Sequence, residues 1–162
     1  MCVTCGGDDT CGGTCATGAC EASYTCSFGT CVVDPASKWV ITITKGSITA
    51  DKWNTFSAPD GMVCIWIGAL RYCTADSGNT LSPVWGCAFP PITAGTLMAG
   101  VDVEMFDNDR SGTGTCSEVV ITAPGESICT KGTVPVTSAN FKARAWGASC
   151  PEMSFSATLS PL

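Results

Sequence analysis

The sequence predicts an all-β fold, an antiparallel sandwich or barrel of about seven or eight short strands preceded by a small cysteine-rich segment. Three observations predict it. β-Branched and aromatic residues gather in short runs from Lys38 onward, several runs alternate apolar with polar residues, and Gly, Pro, Ser and Asn cluster between them. The predicted strands are, in order, Trp39–Thr44, Met62–Ile67, Trp85–Phe89, Val101–Phe106, Glu118–Thr122, Asn140–Trp146 and Met153–Leu159. In Val101–Phe106 the valines and Met105 share one face, while Asp102 and Glu104 share the other; Ile41-Thr42-Ile43-Thr44 repeats the device. Turns are expected at Ser57–Gly61, Asp76–Asn79 and Pro90–Gly95. Ala94–Ala99 is the one stretch with a helical pattern.

A length of 162 residues suits one small domain with a short appendage. The composition shifts at Asp34-Pro35-Ala36-Ser37, from Gly/Cys/Thr-rich sequence to β-rich sequence, so residues 1–33 are read as a cysteine-rich unit, 34–37 as a linker and 38–162 as the sandwich. Net charge is −6 and no lysine/arginine stripe exists for phosphates, which argues against a nucleic-acid partner. Histidine is absent, so neither a Ser-His-Asp nor a Cys-His catalytic unit can be assembled. Apolar runs such as Met62–Leu70 fall well short of the roughly 20 residues that cross a bilayer.

Seven of the thirteen cysteines lie in the first 31 residues, at positions 2, 5, 11, 15, 20, 26 and 31. Val3, Tyr24 and Phe28 bury too little to hold that segment, so a covalent framework is expected, each disulfide contributing about 2–4 kcal/mol. A thiolate zinc site is the rival, but Cys2-x-x-Cys5 has no second C-x-x-C to complete it. Disulfides imply an oxidising compartment, and the expected location is secreted or cell-surface. Met1 runs straight into Cys2 without a signal peptide, so the natural precursor is expected to be longer, with its signal peptide outside this chain. The odd cysteine count makes Cys2 the candidate unpaired thiol.

Two resemblances follow from particular motifs. Cys5-Gly-Gly-Asp-Asp-Thr-Cys11-Gly-Gly-Thr-Cys15, then Cys20, Cys26 and Phe28-Gly29-Thr30-Cys31-Val32, resemble the short cysteine-rich repeat of secreted myxobacterial-type surface proteins, with its CGDDGCGGxC core and GxCV end. That resemblance implies a stalk or spacer. Over about residues 38–160 the chain resembles a C2 domain. Ser82-Pro83-Val84-Trp85 is similar to the NPxW signature, Ser57-Ala58-Pro59-Asp60-Gly61-Met62-Val63 to the SDPYV run, Val103–Arg110 to the strand and loop with two calcium-binding aspartates, and Met153–Pro161 to the closing strand. The resemblance implies a C2-like antiparallel β-sandwich with calcium ligands Asp107, Asp109 and Asp60, joined by Asn54 or Asp51 in the first loop. This chain departs from the pattern in placing Thr115 at the last aspartate of the third loop, in its six further cysteines and in lacking a basic strand.

Calcium takes six to eight hard oxygens, which is what converging carboxylates and carbonyls offer. Asp107 and Asp109 also begin an EF-hand spacing with Ser111, Gly112 and Glu118, although its flanks are β-rich. A third reading is a solvated Asp-Asn-Asp turn without metal. Trp53 and Phe56 lie in the proposed first calcium loop, either packed beneath it or exposed as ligand contacts. Asp102 and Glu104 share an exposed strand face, which suits solvation better than acid–base catalysis, and no enzyme is expected. The leading expectation is therefore a non-catalytic, secreted, calcium-dependent binding or adhesion module for an extracellular lipid, glycan or protein ligand. Lipid would be reached through bridging calcium, because eight scattered Lys/Arg make no basic patch. The alternatives are a structural subunit of an extracellular fibre or coat, homo-oligomeric through sheet edges, and a disulfide-rich protease inhibitor.

Overall fold

A computed structural model describes residues 20–27, 30–49, 58–108, 116–118 and 126–162. The alternating runs become strands because one side of each can be buried against a second sheet. In chain order the elements are β1 (Tyr24–Ser27), β2 (Thr30–Val33), β3 (Lys38–Ile48), β4 (Gly61–Ile67), β5 (Leu70–Cys73), β6 (Val84–Ala88), β7 (Ile92–Thr93), α1 (Ala94–Ala99), β8 (Val101–Asp107), β9 (Ser117–Glu118), β10 (Glu126–Val134), α2 (Ser138–Ala143), β11 (Ala145–Ser149) and β12 (Met153–Pro161). Two antiparallel sheets face each other, in the orders β10-β8-β4-β5-β9 and β11-β12-β3-β6, with β7 beside β3.

β3 shows how the pattern builds the core. Trp39, Ile41 and Ile43 point inward and are fully buried. The register then shifts: Ala157 pairs with Ile43 but Ser156 pairs with Lys45, leaving Thr44 as the extra residue of a bulge. Gly46 thereby pairs with Phe155, and a Cβ at Gly46 would lie 2.7 Å from the Ser154 carbonyl oxygen and 2.8 Å from the Trp85 ring. Only glycine leaves Trp85 that space. β4 is the central strand of its sheet and is buried on both faces over Gly61–Ile65, as its unbroken apolar run requires. β8 behaves as its alternation predicts, with Val101, Val103 and Met105 in the main core.

The stretch Asn140–Trp146 is not one strand. Thr137 caps α2, its hydroxyl accepting the Asn140 N–H while the Asn140 side chain accepts the Thr137 N–H. That reciprocal capping starts a helix just where a strand was expected. Arg144, in the left-handed region at φ 55°, ends it, and β11 follows. Ala94–Ala99 is helical as its pattern suggested, capped by the Thr93 hydroxyl. β5, β10 and the β1–β2 hairpin had no strong alternation to reveal them. Of the run Glu118–Thr122, Glu118 belongs to β9 and the remainder lies outside the described residues.

The end of the cysteine-rich segment is fastened to the sandwich. Val33 is buried in the main core, and the Tyr24 ring meets Trp39 edge-on at 6.3 Å. The Arg144 guanidinium lies 4.8 Å over Trp39 and pairs with Glu21 at 3.4 Å.

All nine cysteines among the described residues are disulfide-bonded. The pairs Cys20–Cys31, Cys64–Cys73, Cys87–Cys116 and Cys129–Cys150 are defined. Cys129 on β10 reaches Cys150 just beyond β11, and Cys87 on β6 reaches Cys116 just ahead of β9. Each of these bonds joins the two sheets, and they do so along opposite edges of the sandwich. Such a framework fits an oxidising environment. Cys2, the candidate unpaired thiol, lies outside the described residues.

Candidate metal centre

Three connections meet at one end of the sandwich. β3 leaves its sheet at Ile48 toward residues 49–60, β5 leads into residues 74–83, and β8 ends at Asp107. Gly61, the first residue of β4, pairs with Asp107, the last of β8, so Asp60 and Asp107, 47 apart in sequence, are brought side by side. The backbone N–H of Asp60 donates to Oδ1 of Asp107 at 2.8 Å, and the N–H of Asn108 donates to the Asp60 carbonyl at 3.1 Å. Asp60 Oδ1 accepts the N–H of Asn79 from the neighbouring connection. Asp107 is fully buried and Asn108 nearly so.

Of the expected ligands, the structure therefore unites Asp60 and Asp107. Asp109, Asn54 and Asp51 lie outside the described residues, as do Trp53 and Phe56. Among the described residues no group of three or more His, Cys, Asp or Glu gathers to hold a metal. The chemistry of the donor set nevertheless fits calcium: it is all oxygen, with no histidine in the chain and every described cysteine consumed in a disulfide. Two carboxylates fall short of the six to eight oxygens that calcium takes. An EF-hand does not fit, because Asp107 closes a strand and Glu118 lies in the two-residue strand paired with Tyr72.

Sequence reasoning missed a second cluster, on the outer face of the β10-β8-β4-β5-β9 sheet. Met62, Cys64, Cys73 and Phe106 form a small buried core there, with Trp66 packed against it. Arg71 covers it, its guanidinium 4.9 Å over Phe106 and 5.2 Å over Trp66, with an N–H donated to Cys64 Sγ at 3.4 Å. Burial pulls the Arg71 guanidinium below its ordinary value and Glu104 opposes this, yet it stays charged. The Lys131 ammonium sits 4.3 Å over the same Trp66 and 3.0 Å from Asp102. Asp102 accepts the Thr133 hydroxyl at 2.6 Å, and Glu104 accepts that of Ser127 at 3.2 Å. Both acids are thus tied into the sheet surface.

Neither a family model nor a curated protein matches the sequence. Solved structures do match the fold. The C2A domain of plant extended synaptotagmin 1 superposes with a TM-score of 0.54 at 12% identity, covering 80% of this chain and 98% of that one. The fold is C2-like. Calcium-bound C2A and C2B domains of extended synaptotagmin 2 give 0.52 at 13% identity over 80% of this chain and 46% of that one. Human GIVD cytosolic phospholipase A2, in complex with methyl gamma-linolenyl fluorophosphonate, gives 0.50 at 14% identity over 76% of this chain. This C2-like chain spans only 16% of the phospholipase. At such identities the likeness extends to the fold alone. Among the described residues of the C2-like sandwich, no helix is long and apolar enough to cross a membrane.

Proposed function

We propose that this protein is a non-catalytic, calcium-dependent binding module of an oxidising, extracellular setting, in which residues 38–162 carry the ligand site and residues 1–33 form a disulfide-stapled stalk. The observation that carries this reading is the hydrogen bond from the Asp60 backbone N–H to the buried Asp107 carboxylate, which brings two acidic residues 47 apart in sequence together at one end of a crosslinked sandwich. Asp109, with Asn54 or Asp51, completes the oxygen set. Calcium supplies charge neutralisation and open coordination positions for a phosphate or carboxylate of a lipid, glycan or protein surface. The protein's part is to hold the donors. β4 and β8 fix Asp60 and Asp107 through the Gly61–Asp107 pair, and Asn79 orients the Asp60 carboxylate. Trp53 and Phe56 are the candidate ligand contacts. The disulfides at both edges hold the two sheets of the scaffold together.

Calcium titration by calorimetry, on protein stripped with chelator, tests the reading. Binding with a dissociation constant of about 10⁻⁴–10⁻³ M is expected, the range of extracellular modules. No heat at millimolar calcium overturns it.

A further inference from the structure

The turn Asp34-Pro35-Ala36-Ser37, between the cysteine-rich segment and the sandwich, gathers its hydrogen bonds on one peptide bond. The Asp34 carbonyl accepts twice from Ser37, from its backbone N–H at 3.0 Å and from its hydroxyl at 2.5 Å. That hydroxyl is itself aimed. It accepts the indole N–H of the fully buried Trp39 at 2.9 Å, which leaves its own proton to the Asp34 carbonyl and strengthens the bond it makes there. Oδ1 of Asp34 accepts the Ala36 N–H at 2.9 Å, folding the side chain back along its own turn. The two sides of the Asp34–Pro35 bond are anchored on different units. The Asp34 N–H goes to the Ser23 carbonyl just ahead of β1 at 2.9 Å, while the Pro35 and Ser37 carbonyls accept the Gly95 and Ala94 N–H groups of α1, each at 2.8 Å. Pro35 and Ala36 are exposed, so water reaches the bond. Every cysteine after residue 34 is paired with another after residue 34, so no disulfide crosses it.

We propose that the Asp34–Pro35 peptide bond is a self-cleaving processing site that separates the cysteine-rich segment from the sandwich. Oδ2 of Asp34 attacks the carbonyl carbon of the same residue and closes a cyclic anhydride of the succinic type; covalent geometry keeps nucleophile and carbon together without further ordering. Negative charge develops on the carbonyl oxygen, where the Ser37 N–H and O–H already point, the arrangement that lowers the barrier to acyl transfer. The C–N bond then breaks. The Pro35 nitrogen, which carries no hydrogen in the peptide, takes a proton from solvent and leaves as a secondary amine. Water opens the anhydride, restoring the Asp34 side-chain carboxylate and freeing its α-carboxylate, so the net reaction adds one water across the bond. Asp34 and Ser37 touch the reacting atoms, and Trp39 is a positioning residue.

The test incubates the full chain in mildly acidic buffer, folded and in urea, and follows the fragments by denaturing mass spectrometry. The folded protein should yield residues 1–34 and 35–162 at least about tenfold faster than the unfolded chain, because only the fold aims the Ser37 donors. Asp34→Asn, which keeps an acceptor for Ala36 but lacks the carboxylate nucleophile, should yield neither fragment. Ser37→Ala, shown folded by its melting curve, should cleave about tenfold more slowly than wild type, and Ser37→Thr, which keeps the hydroxyl, at close to the wild-type rate. Equal rates in the folded and unfolded wild type mark an ordinary Asp–Pro linkage, and an intact folded chain marks a purely structural turn. Either result overturns the proposal, and neither depends on the folding of a variant. A folded Ser37→Ala that cleaves as fast as wild type overturns it as well.

Discussion

Asp60 donates its backbone N–H to Oδ1 of Asp107 at 2.8 Å, so the two residues are coupled whether or not an ion is present. The side chain of Asp107 therefore has a structural duty that asparagine can keep and alanine cannot. In chelator, Asp107→Ala should lose about 1 kcal/mol for the stranded, part-buried N–H, and Asp107→Asn distinctly less. With about 10 mM calcium, wild type should gain roughly 3–10 °C in melting temperature, as follows from sub-millimolar to millimolar affinity and the entropy of unfolding of a chain this size. Asp107→Asn should gain nothing comparable, because one unit of negative charge is missing. A calcium shift that survives in Asp107→Asn removes Asp107 from the ligand set.

Strand existence was legible in the sequence wherever one face is buried and the other wet. Val101–Phe106 and Met153–Leu159 alternate and both are strands; in Met153–Leu159 the buried residues are the alternating apolar ones, while in β8 Phe106 and Asp107 are buried as well. Legibility failed where local chemistry outran the pattern. Asn140 looked like the start of a strand, yet its side chain closes a helix cap with Thr137. β10 has an irregular register against β8, with shifts between Ser127 and Cys129 and between Cys129 and Gly132, so its apolar residues never settle into period two. For the site, Asp60 and Asp107 were readable only through motifs of the resembled domain, because residues 47 apart become neighbours through sheet pairing alone.

The bonds Cys87–Cys116 and Cys129–Cys150 close sequence separations of 29 and 21 residues across opposite edges of the sandwich. Cys64–Cys73 closes only 9, between strands already paired. Replacing either inter-sheet pair by serines should cost about 3–4 kcal/mol in urea denaturation, and replacing Cys64–Cys73 about 1 kcal/mol less on the same chain-entropy scale. Thiol titration of the unfolded, unreduced protein should find none of the nine described cysteines reactive. Reactive thiols at those positions remove the case for an oxidising compartment.

Arg71 is the lid of the outer cluster, with its guanidinium over two rings at once. Arg71→Ala should lose about 1–2 kcal/mol, combining the cation–π contacts with the apolar surface newly exposed on Met62 and Phe106. Arg71→Lys should recover only part of this, since an ammonium cannot lie flat across both rings. Lys131 covers the same Trp66 from a more open position and shares its charge with Asp102, so Lys131→Ala should lose under about 1 kcal/mol. Equal losses for Arg71→Ala and Lys131→Ala in urea denaturation contradict the lid role.

Asp102 provides the clearest acid-sensitive contact of that face. The Thr133 hydroxyl bonded to its carboxylate, with Lys131 alongside, holds its pKa below the ordinary 3.8. The native state thus takes up this proton less readily than the unfolded chain. Its stabilising contribution is complete above the ordinary value and disappears as pH falls through the lower, folded value. Because the carboxylate is well exposed, solvent keeps the contribution small. Melting temperature followed from about pH 6 to pH 2 should therefore fall slightly less steeply in Asp102→Asn than in wild type below about pH 4, with the two curves parallel above it. Thr133→Val, which removes the strongest of the contacts while keeping the shape, should reproduce part of that flattening. If both variants track wild type through the acid limb, the hydrogen bond at 2.6 Å does not bias the proton equilibrium.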